Sequence, residues 1–159
     1  MTGASHLRLT LHRDTDGTAE LRARVESAGF AGESAAWFNV REVAAFARAL
    51  DAYPIDAARP PQLSGGVFSQ SDHDGAGEPA LEREQLFIAV RPAGRRGTLA
   101  VEVRLATPRW GGDAEPIECG ASVTFLADYA ALQRFAGEVA RLAAGQLDAA
   151  VLRSDVTYT

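Results

Sequence analysis

Asn39-Val-Arg-Glu-Val-Ala-Ala-Phe-Ala-Arg-Ala-Leu50 and Asp128-Tyr-Ala-Ala-Leu-Gln-Arg-Phe-Ala-Gly-Glu-Val139 decide how this chain is read. Val43, Phe46, Ala47 and Leu50 stand at the same offsets from Asn39 as Leu132, Phe135, Ala136 and Val139 do from Asp128. Those offsets put four apolar side chains on one stripe of a helix. Asn39 and Asp128 are the residue types that cap a helix N-terminus, because a side-chain oxygen accepts from the free N–H groups of the first turn. Glu42 completes a capping box with Asn39. Pro54 stops the first helix, and Gly145 stops the second.

Working outward, each helix is preceded by strand patterns. Leu7, Leu9 and Leu11 alternate with Arg8, Thr10 and His12. Asp14-Thr-Asp-Gly17 is a turn signal. Leu21, Ala23 and Val25 then alternate with Arg22, Arg24 and Glu26, so a hairpin with one buried and one wet face is expected. Phe30 to Phe38 is a weaker third strand, broken by Gly32. The second set is stronger. Leu86-Phe-Ile-Ala-Val90 is apolar on both faces, as a central or covered strand would be. Gly94-Arg-Arg-Gly97 turns into Leu99, Val101, Val103 and Leu105. A last alternation carries Ile117, Cys119, Ala121, Val123 and Phe125 on one face.

The pattern is strand-strand-strand-helix, twice. It predicts an α+β fold: an antiparallel sheet covered on one face by two helices, built from a duplicated unit. Residues 1–159 read as a single domain with pseudo-repeat halves 7–54 and 80–145. Residues 55–79 form a linker, with a short edge strand at Leu63 to Phe68, and 146–159 form a tail. Units of ~60 residues bury little alone, so the halves are expected to share one core. In the tail, Val156-Thr-Tyr-Thr159 has strand-like residues that suit a sheet edge or a neighbouring chain.

Composition excludes several classes. A formal net charge of −5 disfavours non-specific binding to nucleic acid or to an anionic membrane. No apolar run reaches the ~20 residues of a membrane span. Met1 to Leu11 has no apolar core of the signal-peptide kind, so a cytoplasmic location is the expectation. The single Cys119 has no partner for an internal disulfide.

No catalytic or cofactor motif stands out, and no cofactor or metal is expected. The alternation puts Cys119 inward as a small buried hydrophobe, and a buried thiol is inert. Asp72-His73-Asp74 lacks a second His at ligand spacing and reads as a solvated loop. Gly94-Arg-Arg-Gly97 lacks the strand-to-helix context of a phosphate loop. Trp37 reads as core or as a hydrophobic staple ahead of the first helix. Trp110 reads as a lid on the core or as an exposed anchor. Arg8, His12, Arg22, Arg24 and Arg104 point to water on the polar sheet face, with Glu102. With Trp110 they form the candidate partner-binding surface, since Trp and Arg dominate binding hot spots.

Taken together, Ala36 to Leu50, Glu84 to Val90, Thr98 to Arg104 and Ser122 to Val139 resemble the WapI family of bacterial immunity proteins in order and apolar spacing. The resemblance covers most of the chain outside the linker and tail, both of which depart from the family plan. It implies a non-enzymatic role in which a protein partner, a bacterial toxin, is bound and neutralised. Two other classes stand beside it. Duplicated sheet-and-helix units can present an Arg-bearing face to a single-stranded nucleic acid, although outward aromatics for base stacking are lacking. A small-ligand pocket between sheet and helices is the third class.

Overall fold

The N–H of Asp14 donates to the carbonyl of Thr18 at 2.9 Å and folds β1 (Ser5–Arg13) back onto β2 (Thr18–Ser27). This is a computed structural model; it describes residues 4–68, 81–94, 97–107 and 118–156. After β2 come β3 (Phe30–Asn39), α1 (Val40–Leu50), β4 (Gln62–Phe68), β5 (Leu81–Pro92) and β6 (Thr98–Ala106). The order ends with β7 (Gly120–Asp128), α2 (Tyr129–Ala143) and β8 (Ala150–Ser154).

Both helices begin as their caps dictate. Asn39 Oδ1 accepts from the N–H of Arg41 at 2.9 Å, while the N–H of Asn39 donates to Glu42 Oε2 at 3.0 Å. Asp128 Oδ1 accepts from the N–H of Ala131 at 2.7 Å. Each helix follows its third strand without a loop. The second helix stops at Gly145, whose φ is +76°. There the N–H of Gln146 reaches the carbonyl of Arg141 at 2.8 Å and that of Gly145 reaches Leu142 at 3.1 Å, which satisfies two end carbonyls.

The fold is α+β and its strands pair antiparallel, in two four-stranded sheets of order β3-β2-β1-β8 and β4-β5-β6-β7. A single sheet under two helices was the expectation from sequence. Widths explain the difference. Two helices, each about 10 Å across, cover roughly 20 Å of sheet, whereas eight strands at ~4.8 Å spacing span nearly 40 Å. Facing sheets bury the surplus apolar surface against each other. Leu7, Leu9 and Leu21 from the first sheet share one core with Ile88, Val103 and Phe125 from the second. Val43, Phe46 and Leu50 of α1 and Leu132, Phe135 and Val139 of α2 complete it, and the two helices pack on each other.

The fourth strand of each sheet comes from the other half of the chain. β4 follows α1 yet pairs with β5, Leu63 lying opposite Ile88. β8 follows α2 yet pairs with β1, Leu152 lying opposite Leu7. The segment 55–79 is therefore more than a linker, because Ile55 and Leu63 are buried and β4 is an edge strand of the second sheet. In the tail a strand forms at Ala150–Ser154; Val156 is outside it, and 157–159 lie outside the described residues.

Two glycines set how closely the sheets approach. A Cβ on Gly32 would stand 2.6 Å from Ala121 Cβ, and one on Gly65 would stand 2.4 Å from the Phe38 ring. β3 thus touches β7 at one end and β4 at the other. Ser34 Oγ donates to the carbonyl of Ala106 at 2.6 Å, and Ser154 Oγ donates to the carbonyl of Leu126. These bonds hold the two sheets together where no ladder joins them. No helix among the described residues is long and apolar enough to cross a membrane.

Candidate interaction surface

The outer face of the first sheet is formed by the residues that alternate with its core set. Arg8, Arg24 and Glu33 lie in register across β1, β2 and β3, then Thr10, Arg22 and Ala35, then His12, Glu20 and Trp37. Arg8, His12, Arg22 and Arg24 are all exposed on this face, as their alternation requires.

Its charges are interleaved. Arg22 lies 3.4 Å from Glu20 and 3.4 Å from Glu33. Arg24 lies 2.8 Å from Glu26 and 3.5 Å from Glu33. His6 Nε2 is 3.1 Å from Glu26 Oε2. The hydrogen bond that Arg24 donates to Glu26 holds its guanidinium above its ordinary pKa, with the Glu26 charge adding to it. Exposed pairs of this kind are screened by water and add little to stability. They do, however, neutralise Arg22 and Arg24, two of the arginines that a phosphate backbone would need.

Arg104 belongs elsewhere. It stands on the outer face of the second sheet, opposite Phe87 and Ser122. Its Nε is 2.9 Å from Glu84 and its Nη1 2.7 Å from Glu102, and the guanidinium lies 3.7 Å over the Phe87 ring. The hydrogen bonding of Arg104 to the Glu84 carboxylate, with Arg104 as donor, is the main cause of its raised pKa. The guanidinium therefore covers the outward Phe87 of β5, which accounts for a strand apolar on both faces. Arg104 does not share a face with Arg8, His12, Arg22 and Arg24, because the strands divide into two sheets.

Trp37 corrects the sequence reading. It is 51% exposed, outward on β3 between the inward Ala36 and Phe38. Phe38, the residue just before the cap, is the one buried with Val43. The strand runs into the helix without a loop, so strict alternation governs up to the cap, and Trp37 falls on the wet side. Beside it lies a groove of about 620 Å³, lined by Glu20, Arg22, Glu33, Ala35 and Trp37 and, from the second sheet, by Gly66, Val67 and Gln85. Val67, 42% exposed, faces the same space from the β4 bulge. A groove of this size falls within the ~300–1,000 Å³ range of ligand-binding clefts. Trp37 and Val67 escaped the sequence reading, although the period-two pattern around Trp37 already carried the signal.

Cys119 is also corrected: it is exposed. It precedes β7, its N–H donating to Thr107 Oγ1 at 3.0 Å and its carbonyl accepting from the N–H of Thr107 at 2.9 Å. The alternation of β7 has the expected phase, with Val123, Phe125 and Ala127 buried. The core itself ends at the contact of Gly32 with Ala121, so a residue further out has nothing among the described residues to be buried against. Phe30, 72% exposed, overruns the same end on β3.

Trp110, Asp72-His73-Asp74 and Arg95-Arg96 lie outside the described residues. Among the described residues, no three His, Cys, Asp or Glu side chains group to hold a metal ion. The structure thus defines an α+β protein with facing four-stranded sheets, a shared helix pair and an open charged sheet face ending at a Trp-lined groove. Comparisons with protein families, with curated proteins and with solved structures find no match to this chain.

Proposed function

We propose that this chain is a non-enzymatic, cytoplasmic protein-binding module of the toxin-neutralising kind that its resemblance to immunity proteins implies. The observation that carries the reading is Trp37. A large indole stands half exposed beside Val67 at the edge of a sheet face whose Arg22 and Arg24 are already paired with carboxylates. An aromatic anchor surrounded by a polar, mixed-charge rim is the usual anatomy of a protein interface. The docking surface is the outer face of the first sheet with the groove beside it. The pairing of Arg22 and Arg24 with Glu20, Glu26 and Glu33 weighs against single-stranded nucleic acid as the partner.

The test is a titration of the partner recovered from the native host against four variants, each checked by thermal melt. Trp37→Ala is expected to weaken binding by about 2 kcal/mol or more, and the double variant Arg22→Ala/Arg24→Ala by about 1–2 kcal/mol. Arg104→Ala, on the other sheet, should leave affinity unchanged. Val67→Lys should also weaken binding. A partner indifferent to Trp37→Ala refutes the surface. Micromolar binding to single-stranded DNA or RNA with a steep salt dependence refutes the class.

A further inference from the structure

The exchange of β4 and β8 has a consequence for association, and it does not depend on the functional proposal. The first half of the chain, β1 to β4 with α1, cannot complete its own sheet; β8 of the second half does so, with Leu7 opposite Leu152 and Leu9 opposite Ala150. The second half in turn takes β4, with Leu63 opposite Ile88 and Phe68 opposite Leu81. The helix pair has one member from each half, as does the sheet-to-sheet hydrogen bond from Ser34 to Ala106, whereas the bond from Ser154 to Leu126 lies within the second half. A single connection, from Phe68 to Leu81, joins the halves.

From this we propose that a second copy of this chain can supply either half, so that the closed monomer is in exchange with a reciprocal dimer in which the first half of each copy is closed by the second half of the other. Nothing in the folded unit has to change. The ladders β4–β5 and β1–β8 and the shared core are the same whether the halves belong to one chain or two. The groove is composite in the same way: Trp37 and Val67 come from the first half and Gln85 from the second. In the dimer each groove is built from both copies. The intact chain favours the monomer because its own halves are tethered at an effective concentration on the order of millimolar. Exchange wins where the connection cannot let β4 and β5 pair within one chain.

The test is deletion of residues 69–80 in the full chain, which makes β4 and β5 one continuous strand that cannot fold back. Light scattering should then give twice the monomer mass at micromolar concentration, with the wild-type circular dichroism spectrum and a cooperative melt. A folded monomer overturns the proposal. Because the deletion variant could fail to fold, a second measurement uses the full chain with a protease site placed between Phe68 and Leu81. After cleavage the halves should stay together in a 1:1 complex, separate in denaturant, and regain the native spectrum only when mixed. A mass-tagged first half should exchange into the complex during that refolding. Halves that fold separately, or that fail to recombine, also overturn it.

Discussion

The ring of Phe38 on β3 lies over Gly65 on β4, with its Cζ 2.4 Å from where a Cβ on that glycine would be. The two residues belong to different sheets, and Phe38 is buried. The contact places the last inward side chain of β3 directly on the backbone of the exchanged strand. Gly65→Ala should therefore displace either the ring or the strand. The expected loss is about 1–3 kcal/mol, the range for overpacking a closed core, read as a lower melting temperature. An unchanged melting temperature would mean that the sheets can part here without cost.

Ser34 is buried and gives its hydroxyl to the Ala106 carbonyl. Ser34→Ala removes that donor and leaves the carbonyl without it. A loss of about 1–3 kcal/mol is expected in denaturant titration, as for a part-buried acceptor that loses its partner. Ser64→Ala is the control. Its hydroxyl lies 3.4 Å from Glu84, at the long end of hydrogen bonding, and should matter little.

Cys119 is exposed, so it should react with a thiol reagent in the native state without added denaturant. Its rate should approach that of the unfolded chain, and Cys119→Ser should melt at the wild-type temperature. Labelling that waits for denaturant would restore the buried position inferred from alternation.

Asp16 supplies a dependence on acid. Its Oδ1 accepts from Thr18 Oγ1 at 2.5 Å and from the Thr18 N–H at 3.0 Å, and the side-chain bond is the main reason its pKa lies below the ordinary 3.8. A folded pKa below the unfolded one means that the carboxylate stabilises the fold above pH 3.8, and that this stabilisation is lost as pH falls through the lower folded value. Carbon-detected NMR titration should put the Asp16 midpoint below 3.8. The stability gap between wild type and Asp16→Ala should shrink as the pH is taken below that value.

Much of the secondary structure was legible because it rests on local chemistry. Asn39 with Glu42, Asp128 and Gly145 act within one turn of their helices, and their roles follow from residue type and spacing. Leu7 to Leu11 and Leu21 to Val25 alternate strictly, and period two alone assigns their faces. The candidate site was legible only in part. Arg8, His12, Arg22 and Arg24 point outward by the same alternation, but the carboxylates that hold Arg22 and Arg24 come largely from neighbouring positions and from β3, whose register no local pattern sets. Trp37 was misassigned because the short strand-to-helix junction was read as a cap region instead of as the last residues of a strand.

The sequence by itself determined the antiparallel strands, both helices with their ends, and which side of each hairpin is wet, since these depend on contacts between residues near in the chain. Only the tertiary structure decided that there are two sheets, that β4 and β8 are exchanged between the halves, that Arg104 is parted from Arg22 and Arg24, and that Trp37 and Val67 face one groove. Those outcomes depend on how much apolar face two helices can cover, and on where two backbones come close enough to end the core, as at Gly32 and Ala121. Neither quantity is a property of any one segment, so periodicity along the chain cannot report it.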